Sequence, residues 1–164
     1  MKNIEAAQAF KIHELLKEHL IIPELQALDR EGCLREMTRC LSAYDKRFSE
    51  AELLEKLVKR ERLGSTAVGE GCAIPHCKVN GLEEPLILLA VSRKGIPVDS
   101  MDGKPAYVFI LVVSPSENPS LNLQILASVA RMIRESRQLL KKIRKSRSGR
   151  EILNIIRQEE ENLA

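Results

Sequence analysis

The sequence lacks tryptophan and has only five aromatic residues among 164. Proteins that bind single-stranded nucleic acid stack bases on aromatic side chains, so this scarcity argues against that class. Long apolar runs are also missing: no stretch approaches the ~20 residues that span a bilayer, and the N-terminal MKNIEAAQAF has no signal-peptide core. We therefore expect no membrane insertion and a cytoplasmic location.

Cysteine is scarce as well, with four residues at Cys33, Cys40, Cys72 and Cys77. Four scattered thiols do not make a disulfide scaffold, so we expect them to be reduced. A zinc site at Cys72, His76 and Cys77 is not expected, because the spacing differs from a Cys-x₂-Cys knuckle and adjacent residues of an extended segment point apart. The sequence thus predicts neither a metal nor a bound cofactor.

Charge is small in total but unevenly distributed. The formal net charge is +3, yet the segment from Arg131 to Arg150 contains nine basic residues and one acidic residue. Such a run on helices is usually a solvated face, and the alternative is a surface for an acidic partner or nucleic acid. We do not expect nucleic acid, and a flat salt dependence of binding would exclude a phosphate-binding role.

Hydrophobic patterning predicts one α/β domain over residues 11–160, preceded by an N-terminal extension at 1–10. Two continuously apolar runs, 85–92 and 106–113, indicate strands covered on both faces. A helix is predicted at 11–19, then an edge strand at 20–22, a loop at 63–75 and a short strand at 96–98. Further helices are predicted after Asp29, after the capping box of Ser49 and Glu52, near 121–133 and 139–143, and over 148–156 from a second capping box of Ser148 and Glu151. Helices therefore flank the sheet on both faces.

The segment that carries chemistry is RERLGSTAVGEGCAIPHCK, from Arg60 to Lys78. Pro75 fixes its own φ and stiffens the backbone that presents His76. A neutral imidazole is a competent nucleophile toward phosphorus, and the planar fork of Arg60 can hold phosphoryl oxygens. The hydroxyls of Ser65 and Thr66 add further donors. A packed, structural histidine remains the alternative from spacing alone.

These residues resemble the signature of the IIA domains of the bacterial phosphotransferase system, in the fructose/mannitol and nitrogen-regulatory branch. Its usual form is Arg-Glu-x-x-Gly-Ser-Thr-Gly-Ile-Gly-x-Gly-Ile-Ala-Ile-Pro-His. The resemblance continues through 95–105, the following apolar strand and the helix around 123–130, and so covers roughly the whole domain. It implies a mixed β-sheet flanked by helices on both faces.

The resemblance also implies roles for particular residues. His76 falls on the phosphoacceptor histidine, which receives its phosphoryl group from HPr or a nitrogen-branch relative, and Arg60 falls on the arginine beside it. Asn122 stands where the family often has a second histidine; it can bind a phosphoryl oxygen but cannot carry a proton. Ala67 and Cys77 replace usual glycines, which would strain the loop wherever φ is positive.

Three hypotheses follow from this resemblance. The chain is a phosphoryl carrier that passes its group to a IIB cysteine, or a regulatory module whose partner binding depends on phosphorylation, or a degenerate domain that no longer accepts phosphate. A chain of 164 residues without a fused IIB or membrane segment favours regulation as an expectation. The sugar, the regulated target and the oligomeric state, a homodimer included, stay open.

Overall fold

The computed structural model describes residues 10–163, so the extension predicted at 1–10 lies outside the described residues except for Phe10. Along the chain the elements are α1 (Ile12–Leu15), β1 (Leu16–Ile22), α2 (Arg30–Tyr44), α3 (Glu50–Arg62), β2 (Ala67–Gly69), β3 (Cys72–Ala73), β4 (His76–Val79), β5 (Leu86–Ile96), β6 (Ala106–Pro115), α4 (Pro119–Glu135), α5 (Leu139–Lys145) and α6 (Gly149–Leu163). The two predicted apolar strands are β5 and β6.

The strands form one mixed sheet in the order β1-β5-β6-β3-β2, with β4 also paired to β6. β5 and β6 are antiparallel neighbours, while β1 runs parallel to β5. β3 and β4 both run parallel to β6 and follow one another along its other edge, at Val108 and Phe109 and then from Val112 to Pro115. β6 is therefore paired along both edges, and it positions the segment that contains His76.

The sheet separates two hydrophobic clusters. In β5, Leu88 and Ala90 pack with the residues of α2 and α3, whereas Ile87, Leu89 and Val91 pack with those of α4, α5 and α6. This alternation has the two-residue period of a strand whose faces are both covered. The predicted layers, with helices on both faces of a mixed sheet, are confirmed.

Helix starts were the most predictable local features. The side chain of Asp29 accepts a hydrogen bond from the Gly32 amide at 2.7 Å, and that of Ser49 accepts from the Glu52 amide at 3.3 Å. Ser148 accepts from the Glu151 amide at 3.1 Å in the same way. Each cap satisfies an amide that has no partner within its helix, so these predictions are confirmed.

Three other local predictions were wrong, and one strand was not predicted. The helix expected over 11–19 ends at Leu15, because Leu16 already pairs with Ile87 in the sheet. The segment 63–75 is not wholly a loop, since it contains β2 and β3, and 96–98 is no separate strand, since Ile96 ends β5. No strand was expected at β4, yet its four residues pair with β6. In each case a distant pairing partner decided the conformation, and local pattern does not record it.

Candidate active site

His76 is the first residue of β4 and lies opposite Val112 of β6. The Pro75 carbonyl accepts the Val112 amide at 3.0 Å, so the residue before the histidine is also held by the sheet. Within the strand His76 is half-buried, and the next side chain, Cys77, is buried in the cluster beneath α3. Neighbouring strand residues face opposite sides, so the imidazole points away from the core that holds the thiol.

The hydrogen bonds of the imidazole define its tautomer. Nδ1 lies 2.8 Å from the carbonyl oxygen of Ile74, which can only accept, so Nδ1 carries the proton. Nε2 is therefore unprotonated, and its lone pair accepts a hydrogen bond from the Arg60 Nε–H at 3.3 Å. The Arg60 Nη1 also donates to the Gly64 carbonyl at 2.9 Å. Both partners of the predicted pair are thus in contact, and the ring presents Nε2 as its nucleophilic atom.

The electrostatic surroundings keep this imidazole neutral. Burial lowers the pKa of His76 below its ordinary value, and the positive charges of Arg60 and Lys78 lower it further. The Ile74 carbonyl and the Glu61 carboxylate act in the opposite direction without reversing the shift. A lowered pKa means that the lone pair on Nε2 is available at neutral pH.

An open cavity of about 520 Å³ lies beside His76. It is lined by Lys56, Lys59, Arg60, Leu63, His76, Cys77, Lys78 and Asn122. We call the three lysines of this lining, Lys56, Lys59 and Lys78, the basic rim. Together with Arg60 they place four cationic side chains around the His76 imidazole, and the lining contains no carboxylate. Such a field favours a dianionic group over a neutral one.

Asn122 contributes the amide of the cavity. It lies in the first turn of α4 and is buried, and the Ser114 hydroxyl donates to its Oδ1 at 2.7 Å. That bond uses the carbonyl side of the amide and orients its NH₂ group as the remaining donor. The structure therefore brings Asn122, Arg60 and His76 into one cavity.

Ser65 and Thr66 do not line this cavity. The Ser65 hydroxyl donates to the Val98 carbonyl and accepts from the Ala67 amide at 3.1 Å. The Thr66 hydroxyl donates to the Glu61 carboxylate. Because both hydroxyl protons already have acceptors within the protein, the assignment of Ser65 and Thr66 as phosphoryl donors stays a prediction that this geometry does not support.

Glu61 lies at the end of α3, where a carboxylate is usually solvated, but here it has partners within the protein. Its side chain is only 8% exposed and accepts from the amide and hydroxyl of Thr66, with the Arg30 guanidinium at 3.5 Å. Arg30 also contacts Asp99 at 3.0 Å. Glu61 thus ties the end of α3 to the start of the loop, and so fixes the residue next to Arg60.

The basic rim is the other feature that sequence reasoning missed. Lys56 lies one helical turn before Arg60 and Lys59 directly precedes it, so α3 presents all three near one another. Lys78 is two residues after His76 on β4, which places it on the same face of the strand. Helical spacing alone could have identified Lys56, whereas Lys78 required knowledge of β4.

Cys77 is not reactive in this setting. Burial raises the pKa of its thiol to about 12, as it does for Cys72. Within residues 10–163, no three His, Cys, Asp or Glu side chains lie close enough to hold a metal ion. None of the helices in that range is both long and apolar enough to cross a membrane.

Comparison with known structures defines the class of the fold. The chain is similar to the nitrogen regulatory protein IIA-Ntr from Neisseria meningitidis, with a TM-score of 0.79 and 25% sequence identity, over 88% of this chain and 98% of that one. It is also 33% identical over 145 residues to a nitrogen regulatory protein of Bradyrhizobium diazoefficiens, which is 88% of this chain and 94% of the relative.

A second relative is much longer. The fructose-specific EIIABC component of Bacillus subtilis is 28% identical over 148 residues, 90% of this chain but 23% of that protein. The family described as phosphoenolpyruvate-dependent sugar phosphotransferase system, EIIA 2, matches residues 14–159. The chain belongs to this family, as its resemblance in sequence indicates.

Proposed function

We propose that this chain is a cytoplasmic phosphoryl carrier in which Nε2 of His76 accepts a phosphoryl group from the phosphohistidine of an HPr-like protein. One observation carries the proposal. The Nδ1–H of His76 is held by the Ile74 carbonyl, which leaves the Nε2 lone pair at a cavity whose four cations suit a dianion. Membership of the phosphotransferase family supports the same chemistry.

The transfer balances without a metal, cofactor or added acid. The Nε2 lone pair of His76 forms a bond to phosphorus while the nitrogen–phosphorus bond of the donor breaks, and its electrons return to the donor imidazole. The His76 ring, now substituted at both nitrogens, gains a positive charge that the donor ring loses. The Ile74 carbonyl keeps the Nδ1 proton in place as this charge develops.

Three groups of the cavity assist the transferred phosphoryl. Arg60 donates to Nε2 before the donor arrives, and as the bond to phosphorus forms its guanidinium shifts to a phosphoryl oxygen. The amide NH₂ of Asn122 is directed by Ser114 and donates to another oxygen. The basic rim neutralises the part of the phosphoryl group's negative charge that a single arginine would leave uncompensated.

A regulatory output is the second candidate function, and one observation favours it. Over stretches of similar length, the chain is 33% identical to a protein named as nitrogen regulatory and 28% identical to the fructose-specific component. In this version phospho-His76 changes the affinity for a target protein. In the transport version the group passes to a IIB cysteine.

The experiment that tests the proposal is reconstitution. The chain is incubated with phosphoenolpyruvate, the first enzyme of the phosphotransferase system and HPr, and intact mass is followed for one acid-labile phosphoryl group. We expect full modification of the wild type and of His19→Gln, which loses an exposed histidine, and none of His76→Gln. Modification that persists in His76→Gln, or an unmodified wild type, contradicts the proposal. Release of the label to a IIB protein then distinguishes transport from regulation.

A further inference from the structure

A second cavity, at the far end of the domain, is lined almost wholly by cations. Its volume is about 310 Å³, and its lining is Ser92, Arg93, Lys141, Arg144 and Lys145. We call these four basic residues the cation cluster. Three belong to the strongly basic segment of the sequence and the fourth to β5, so the fold adds a charge that the sequence run does not contain.

Helix geometry explains how three of these residues converge. Lys141, Arg144 and Lys145 are spaced i, i+3 and i+4 on α5 and so share one face of the helix. Cations in a last helical turn are common because they complement the helix dipole. The dipole does not explain why Arg93, from a different element, lines the same cavity.

Uncharged groups of the protein orient the guanidinium groups of both arginines. Arg93 Nη1 donates to the Arg144 carbonyl at 2.8 Å, and its Nη2 to the Ser146 carbonyl at 2.5 Å. The Arg144 guanidinium lies over the Tyr107 ring, 3.5 Å from the ring centre. Carbonyls and an aromatic ring fix these guanidinium groups without neutralising them, which preorganises them for an anion.

The charge of the cluster is poorly compensated by the protein. Among the ion pairs of residues 10–163, Glu24 contacts Arg93 at 3.6 Å, and no carboxylate pairs with Lys141, Arg144 or Lys145. The neighbouring Lys142, which does not line the cavity, pairs with Glu159 at 2.9 Å. Three of the four cations that face the cavity, Lys141, Arg144 and Lys145, are therefore left without a carboxylate.

This cavity is separate from the one at His76. Tyr107 lies near the start of β6, whereas His76 pairs with Val112, five residues further along the strand. At ~3.3 Å per residue, this separates the two positions by roughly 17 Å. The cation cluster is consequently not an extension of the basic rim.

We propose that the cation cluster binds a small oligophosphate, meaning a ligand with at least two adjacent phosphate groups. Adjacent phosphates concentrate several negative charges in a volume of this size, and two arginine forks match the geometry of phosphate oxygens. The proposal does not depend on phosphorylation of His76. It assigns to part of the basic segment a role other than that of a solvated face.

The test is calorimetric titration of the full chain with inorganic pyrophosphate, at low and at physiological salt. We expect saturable binding that weakens with salt, and at least about tenfold weaker binding in Lys141→Gln and in Arg144→Gln, since each loses a charged hydrogen bond. The matched control is Arg150→Gln, which removes one charge from the same segment outside the cavity; we expect less than about a twofold change there. Circular dichroism of each variant verifies its fold.

Comparison ligands show which class of anion the cation cluster binds. Adenosine diphosphate is expected to bind as pyrophosphate does, and orthophosphate and citrate more weakly. Failure of pyrophosphate to bind the wild type, equal weakening by Arg150→Gln, or equal binding of citrate each overturns the proposal. Tighter binding of a DNA duplex than of pyrophosphate also overturns it, in favour of a polyanion surface.

Discussion

Replacement of Arg60 by glutamine tests the geometry of the His76 site most specifically. Arg60→Gln keeps a hydrogen-bond donor near Nε2 but removes the positive charge and the planar fork. The matched control is Arg62→Gln, which removes the same residue type from the last turn of the same helix. Arg62 is exposed and does not line the cavity beside His76.

The size of the effect follows from the contact that is lost. Arg60 lies 3.3 Å from the atom that is to bond phosphorus, so it reaches a phosphoryl oxygen with little movement. A hydrogen bond to a charged group contributes about 1.5–3 kcal/mol, which corresponds to a rate of phosphoryl acceptance roughly 10- to 150-fold lower. Arg62→Gln should change the rate by less than about twofold, because an exposed charge is screened by salt.

The assay uses two donors. Phosphoramidate transfers a phosphoryl group to histidine without a protein partner, and the rate of mass gain reports the intrinsic reactivity of Nε2. Phospho-HPr is then used to include docking of the protein donor. The reasoning is refuted if Arg60→Gln and Arg62→Gln lose the same factor with phosphoramidate, since Arg60 would then act only through net charge.

Three further predictions concern the same region. The pKa of His76, measured by NMR, should lie below about 6.5 and should rise in Lys78→Gln. Because the unfolded chain then binds a proton at a higher pH than the folded chain does, the free energy of unfolding should fall as the pH drops from about 6.5 towards the pKa of the folded state. A measured pKa above about 6.5 contradicts this prediction. Glu61→Ala should lower the free energy of unfolding in urea by about 2 kcal/mol, because it leaves the Thr66 amide unpaired. The control Glu55→Ala removes an exposed carboxylate of the same helix and should have little effect. Equal losses in the two variants contradict a structural role for the Glu61–Thr66 contact. Asn122→Asp should slow phosphoryl acceptance from phosphoramidate about tenfold or more by repulsion, and an unchanged rate excludes Asn122 from contact with the phosphoryl group.

Local signals in the sequence were sufficient for a large part of the fold. The caps at Asp29, Ser49 and Ser148 act within three residues, so the sequence contains all the atoms that form them. The apolar runs that became β5 and β6 are covered on both faces, and such strands need no alternation to be recognised. The caps depend only on residues that are neighbours along the chain, and the two strands are recognisable from their continuous hydrophobicity.

The remaining features depend on partners that are distant in sequence. The end of β1 was predicted as an edge strand at 20–22, but its first part, 16–19, was assigned to a helix because Leu16 and Leu20 also fit helical spacing. Only pairing with β5 selects the strand there. β4 has four residues and is defined by its pairing with β6. Without β4, the sequence could not show that Lys78 faces the same side as His76.

The candidate site shows the same division. His76 and Arg60 were identified because the motif around them is specific, and the structure places them in contact at 3.3 Å. The hydroxyls of Ser65 and Thr66 have the right chemistry, but their bonds to Val98 and Glu61 depend on how the loop packs against the segment after β5 and against α3. Donor type can be predicted from a residue, whereas the direction of the donor requires the fold.

The most direct measurement is the identity of the phosphorylated nitrogen. The chain, labelled with ¹⁵N, is phosphorylated through HPr and examined by long-range ¹H–¹⁵N correlation spectroscopy of the His76 ring. The Nδ1–H···O bond to the Ile74 carbonyl predicts phosphorus on Nε2, with the proton retained on Nδ1. Phosphorus on Nδ1, or on any residue other than His76, would contradict the account.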